Sequence, residues 1–239
     1  MSTKTTPIRV NNRSNGMSLY LKRVFALMFG AVGITAIASY LTMYTSLGAL
    51  LFTSTGMSPF YYILLFGGLA LSIWAQVRAF HIKPATAALL LAIYAITMGI
   101  VLTPILFFAV IHNPWTILSA FVLSAVMFGC MALFGYKTVK NLSFLRIFLF
   151  MGMIGLILVG LVSFIWPAIV GGTFGTIVCL VGVLVFALFT AYDMQTLKSA
   201  YNYVGDDTQR NQLAVLGALH LYISFIAIFQ YILSLFNRN

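Results

Sequence analysis

Seven apolar, almost uncharged stretches follow one another along this chain, at about residues 24–45, 61–80, 85–111, 115–134, 144–166, 173–197 and 213–236. No other feature limits the fold as much. A helix needs about 20 predominantly apolar residues to cross the hydrocarbon core of a bilayer, and each stretch is at least that long. With 7% charged residues against the roughly 25% typical of soluble domains, and a mean hydropathy of +1.05, the chain is expected to be an integral membrane protein. The expected fold is all-α, with seven transmembrane helices over residues 24–236 and short connections that leave no room for a soluble domain. Residues 1–23, rich in Ser, Thr, Asn and basic side chains, read as a disordered cytosolic arm that is too long before its first apolar run to be a cleaved signal peptide.

The net charge of +10 would suggest nucleic acid on a soluble basic face, but here the cations lie between apolar segments and report topology, so no nucleic-acid partner is expected. Lys4, Arg9, Arg13, Lys22 and Arg23 precede or open the first helix. Arg78 and Lys83 flank the second connection, Lys137, Lys140 and Arg146 the fourth, and Lys198 and Arg210 the sixth. The first, third and fifth connections hold no Lys or Arg, and only Arg238 falls on the other side. Cytoplasmic loops are enriched in Lys and Arg, which predicts a cytoplasmic N-terminus and an outside C-terminus. Cys130 and Cys179, both in apolar segments without metal-ligand spacing, read as packing residues.

Gly30, Gly33, Gly67, Gly68, Gly99, Gly152, Gly155, Gly171 and Gly175 lie in or beside these segments and suggest close helix packing, since small residues let backbones approach. Pro104 is expected to kink the third helix by removing a backbone donor. Trp115, Trp166, Tyr61 and Tyr62, near segment ends, read as interfacial anchors.

The candidate chemistry gathers around Asp193. Of the three acidic residues, Asp206 and Asp207 sit in a polar loop and Asp193 alone lies inside an apolar segment. An ionisable side chain at such a depth is costly and points to function. It lies five residues before Lys198, about 7–8 Å deeper along the helix. Its options are protonation, pairing with a cation, or opening onto a water-filled cavity. In the seventh segment His220 and Ser224 share one face, at a depth comparable with Asp193. One reading makes Asp193 and His220 a coupled titrating pair across the sixth and seventh helices. The other keeps His220 neutral on a carbonyl or hydroxyl. Arg78 is a candidate latch cation for Asp193, with Arg146 and Lys198 within similar reach. Snorkelling to headgroups is the competing role for all three. His81 and His112 read as solvated loop positions.

Enzyme readings find little to stand on. Tyr192-Asp193 is half of the pattern of an intramembrane aspartyl protease, whose chemistry needs a second carboxylate, and no other helix supplies one. No Gly-x-Ser-x-Gly occurs, and His220 with Ser224 comes without recognisable oxyanion donors.

Four stretches carry a family resemblance. They are Phe134-Gly135-Tyr136-Lys137-Thr138 with the following Met151-Gly152-Met153, then Phe189-Thr190-Ala191-Tyr192-Asp193-Met194-Gln195, then Gly217-Ala218-Leu219-His220-Leu221-Tyr222-Ile223-Ser224-Phe225. In order and spacing the chain resembles the Bax inhibitor-1 family, in its bacterial YccA-like branch. The resemblance implies six helices around the last one in a bacterial inner membrane. It further implies calcium leak or homeostasis under a pair of aspartates and, in some bacterial members, modulation of a membrane-bound ATP-dependent protease. Asp193 falls on the first aspartate of the pair. The second falls at Ser224, and the asparagine that follows it at Ala227, so this chain departs from the family pattern at both positions. His220, where the family more often has a small polar residue, is the candidate compensating change.

The combined expectation is a pH-sensitive calcium or cation leak through a cavity lined by Asp193, His220 and Ser224. The alternative is a non-conducting regulator that binds a membrane protease. One carboxylate falls far short of the six to eight oxygens calcium usually takes, so calcium is expected only in transit past Asp193, with no resident cofactor or metal.

Overall fold

The computed structural model describes residues 8–53, 56–78, 82–204 and 206–238. Seven helices run in order: α1 Ile8–Tyr44, α2 Pro59–Arg78, α3 Pro84–His112, α4 Trp115–Lys137, α5 Ser143–Ile165, α6 Gly172–Tyr203 and α7 Asp207–Phe236. All seven contain a stretch long and apolar enough to cross a membrane. The chain is thus an all-α multi-pass membrane protein, with each helix where an apolar run predicts it. Of the expected arm, 1–7 lies outside the described residues, and the backbone is already helical from Ile8. Two single-turn 3-10 segments, Gly48–Leu51 and Pro167–Val170, and a short antiparallel pairing of Phe52–Thr53 with Gly56–Met57 fill the first and fifth connections.

The seventh helix forms the centre. Its apolar window is 78% buried, whereas that of α5 is 6% buried, which separates a core helix from a lipid-facing one. Helices α1, α3, α4 and α6 pack directly on α7, α2 lies against α3, and α5 lies against α6. Tyr222 and Phe225 of α7, almost wholly buried, anchor this core, with Phe225 edge-on to Phe121 and Phe128 of α4 and Tyr222 edge-on to Tyr94 of α3.

Because lipid is as apolar as a leucine side chain, helix contact in the membrane relies on close packing and interhelical hydrogen bonds. Both are visible. A Cβ on Gly99 would lie 2.7 Å from Ala38 Cβ, so α1 and α3 cross there almost backbone to backbone. At the same crossing Ser39 donates to the Gly99 carbonyl at 2.7 Å and Thr35 donates to the Ala95 carbonyl at 3.0 Å. Gly30, Gly33, Gly67 and Gly155, by contrast, have open space where a Cβ would be. Further close approaches in the core of the bundle fall at Gly135 against the Ala191 backbone, Gly182 against the Tyr231 ring and Gly217 against Leu197. Those three draw α4 onto α6 and α6 onto α7, and so fix the surroundings of Asp193. Helix α3 continues through Pro104 from Pro84 to His112.

The basic side chains from Lys22 and Arg23 through Arg78, Lys137 and Arg146 to Lys198 and Arg210 sit at one end of the bundle, and Arg238 at the other. Trp115 and Trp166, largely exposed, lie at helix ends.

Candidate functional site

Asp193 and His220 meet. On α6 the carboxyl of Asp193 points toward α7, whose His220 Nδ1 lies 4.0 Å from Asp193 Oδ1. His220 is about one-third exposed and Asp193 about one-eighth, so both groups sit within the bundle with limited access to solvent. One turn further along α7, the buried Ser224 places its hydroxyl beside the same carboxyl. The i, i+4 spacing of His220 and Ser224 sets both side chains on the face of α7 that α6 covers. The tight contacts at Gly182 and Gly217 hold the two helices close enough for them to reach Asp193.

The other imidazole nitrogen is engaged as well. His220 Nε2 and Gln76 Oε1 of α2 are 3.1 Å apart, which makes Nε2–H the donor and leaves Nδ1 facing the carboxyl. A neutral imidazole in that tautomer offers Asp193 a lone pair, and a protonated one offers it an N–H. The Gln76 contact therefore fixes the ring orientation while leaving Nδ1 to respond to proton occupancy. Gln76, a single amide in Ser72-Ile73-Trp74-Ala75-Gln76-Val77, is the member of the cluster that sequence reasoning passed over. Its isolation in an apolar segment is the same signal that marks Asp193.

Arg78 does not join this cluster. It is the last residue of α2, exposed to solvent, and α2 contributes Gln76 instead. Among the described residues no ion pair links Asp193 to Lys or Arg. Lys198 is held by α4, donating to the Tyr136 carbonyl at 2.8 Å with its ammonium 4.8 Å from the centre of the Tyr136 ring. Arg146 lies over the Phe150 ring at 5.9 Å. His112 bonds the Phe108 carbonyl of its own helix at 3.0 Å, and His81 lies outside the described residues.

Beyond Ser224 the polar groups continue across the bundle. The Tyr222 hydroxyl and Thr35 Oγ1 are 2.6 Å apart, and Ser39 follows one turn along α1. Toward the basic end, Gln195 accepts from the Leu142 backbone N–H at 2.9 Å and donates to the Lys140 carbonyl at 2.8 Å, which fastens the connection between α4 and α5 to α6 two residues from Asp193. Among the described residues no group of three or more His, Cys, Asp or Glu comes together. A cation at Asp193 would have to draw on hydroxyl, amide and carbonyl oxygens and water, and a hard cation held that way exchanges readily.

Comparison with known proteins extends over nearly the whole chain. The family model described as inhibitor of apoptosis-promoting Bax1 matches residues 17–239. The inner membrane protein YbhL of Escherichia coli (strain K12) is 32% identical over 227 residues, covering 94% of this chain and 93% of that one. An uncharacterized protein of Rickettsia prowazekii (strain Madrid E) is 29% identical over 231 residues, 97% of this chain and 94% of its own length. An uncharacterized membrane protein of Streptococcus pyogenes serotype M3 is 30% identical over 228 residues, covering 94% of each chain.

Proposed function

The chain belongs to the Bax inhibitor-1 family and is a multi-pass protein of the bacterial inner membrane, and on that footing we propose that it is a pH-sensitive leak for cations, calcium foremost, gated where Asp193 meets His220. One observation carries the reading: the 4.0 Å approach of the Asp193 carboxyl and the His220 imidazole between α6 and the central helix. Ionisable groups facing the interior of a transmembrane bundle mark ion and proton pathways, because burial there is too costly to be kept for packing alone. Two titrating groups this close are coupled, so a proton arriving at one alters the contact between α6 and α7 at this point.

In this chain Ser224 stands where the family resemblance places the second carboxylate, and His220 lies one turn before it on the same face. The imidazole takes over the proton-sensing part, and the Ser224 hydroxyl offers a neutral oxygen to a passing cation. We place the N-terminus in the cytoplasm, which puts Asp193 nearer the cytoplasmic face, with Tyr222, Thr35 and Ser39 continuing the polar line outward. The test is cation flux into liposomes carrying wild type or Asp193→Asn. Loss or deregulation of flux in the variant supports the gate.

A non-conducting regulator is the second reading, and the isolation of α5 favours it. That helix packs mainly on α6, leaves most of its apolar surface to the membrane and is free to dock a helix of a membrane-bound protease. Unchanged flux in Asp193→Asn, together with partner capture that survives the mutation, would select it.

A further inference from the structure

Helices α1 and α4 each pack on α7 but hardly touch one another, which leaves a gap between them. On the basic-end half of this gap lies a groove of about 420 Å³, walled by Leu21 and Phe25 of α1 and by Gly129, Leu133 and Tyr136 of α4, with Phe225 of α7 at its floor. That volume falls within the roughly 300–1,000 Å³ of small-molecule sites. The walls run about 12–16 Å along the helix axes, the extent of Leu21 to Phe29 and of Ala125 to Tyr136 at 1.5 Å per residue. The shape is long, narrow and almost wholly apolar. A Cβ on Gly129 would meet nothing within 4 Å, so this glycine leaves the groove open rather than closing a helix crossing.

Cations stand at the mouth of the groove. Lys22 lies one turn before Phe25 on α1, and Lys137 lies one turn after Leu133 on α4, so each continues the stripe of its helix that lines the groove. Both are exposed. Lys198 is fixed beside them, bonded to the Tyr136 carbonyl and lying over the ring that forms the wall. Among the described residues no salt bridge ties these lysines to a carboxylate, and Asp193 faces His220 and Ser224 on α7.

We infer that this groove is a binding site for one anionic phospholipid, with an acyl chain laid between α1 and α4 over Phe225 and the phosphate held by Lys22, Lys137 and Lys198. The apolar length fits the chain, and the charge at one end selects the headgroup. A zwitterionic lipid would fill the groove equally well but gain little from the lysines. Bound there, the lipid braces α1 against α4 and covers Phe225 of α7.

The test is native mass spectrometry of the full chain in detergent, titrated with dimyristoyl phosphatidylglycerol or dimyristoyl phosphatidylcholine. Wild type is expected to retain one phosphatidylglycerol preferentially. Lys22→Gln with Lys137→Gln is expected to weaken that retention by about 25-fold, since a basic residue at an anionic headgroup contributes roughly fivefold. Gly129→Leu, which fills the groove, should weaken both lipids. Lys83→Gln with Lys140→Gln, which removes the same charge elsewhere at the basic end, should behave as wild type, and inorganic phosphate should not displace the lipid. All variants are compared at matched thermal unfolding without lipid, and a Gly129→Ala variant stands in if leucine lowers it. Equal losses from the two lysine pairs would overturn the site in favour of a diffuse positive field. Wild-type retention in both Gly129 variants, or displacement by inorganic phosphate, would overturn the seated chain.

Discussion

Replacing Gly135 with alanine should loosen the contact that positions Asp193. A Cβ at this position would lie 2.8 Å from both the carbonyl carbon and the Cα of Ala191, with the Ala191 carbonyl oxygen closer still. Carbon atoms pack at about 3.5–4.0 Å, so the contact falls short by roughly 0.7–1.2 Å. Backbone stands on one side and an ideal helix position on the other, so no rotamer change relieves it and α4 must move off α6. Overpacking of this kind costs about 1–3 kcal/mol. The higher helix propensity of alanine returns at most about 1 kcal/mol. The matched control is Gly155→Ala on lipid-facing α5, where nothing lies within 4 Å and only the propensity gain remains. Thermal unfolding in detergent should therefore place Gly135→Ala below Gly155→Ala by about 1–3 kcal/mol, at roughly 2–4 °C per kcal/mol for a chain of this size. Gly217→Ala should fall between them, because its neighbour is the end of the flexible Leu197 side chain. If Gly135→Ala melts at or above Gly155→Ala, backbone contact at Ala191 does not hold α4 to α6 and the account of how Asp193 is placed is wrong.

Tyr222→Phe removes the hydroxyl partner of Thr35 while Thr35 keeps the Ala95 carbonyl, so a loss of about 0.5–1.5 kcal/mol in unfolding free energy is expected, with little change in fold by circular dichroism. Gln195→Ala frees the Leu142 N–H and the Lys140 carbonyl together; hydrogen exchange at 140–145 should rise while exchange in the middle of α7 stays slow. A C-terminal alkaline phosphatase fusion should be active and a C-terminal fluorescent protein dark, as the distribution of Lys and Arg requires of an outside C-terminus. The reverse pattern would invert the bundle.

The membrane-spanning elements were legible because a transmembrane helix is specified by length and hydropathy, both properties of a contiguous segment. The meeting of Asp193, His220 and Ser224 was legible too, since helical periodicity and depth from the segment ends locate a side chain on a face at a level. The partners were harder to read. Which helix lies next to which depends on contacts between distant segments, so Gln76 on α2 could not be assigned to His220, and Arg78, two residues on, looked the better candidate although it lies at the exposed end of its helix. The glycines show the same limit. Gly30 and Gly99 are alike in sequence context, but only Gly99 stands at a crossing, and the decisive contacts at Gly135, Gly182 and Gly217 emerge only once α4, α6 and α7 are placed together.

The most direct test of the gate is calcium-dye influx into proteoliposomes at pH 6 and pH 8, for wild type, Asp193→Asn, His220→Ala and the double variant, beside a conducting relative. The account predicts a leak in wild type that differs between the two pH values. Each single substitution should change it, and the double variant should resemble the singles rather than their sum, as coupled groups require. A wild type that passes no calcium at either pH, in an assay where the relative conducts, would contradict it.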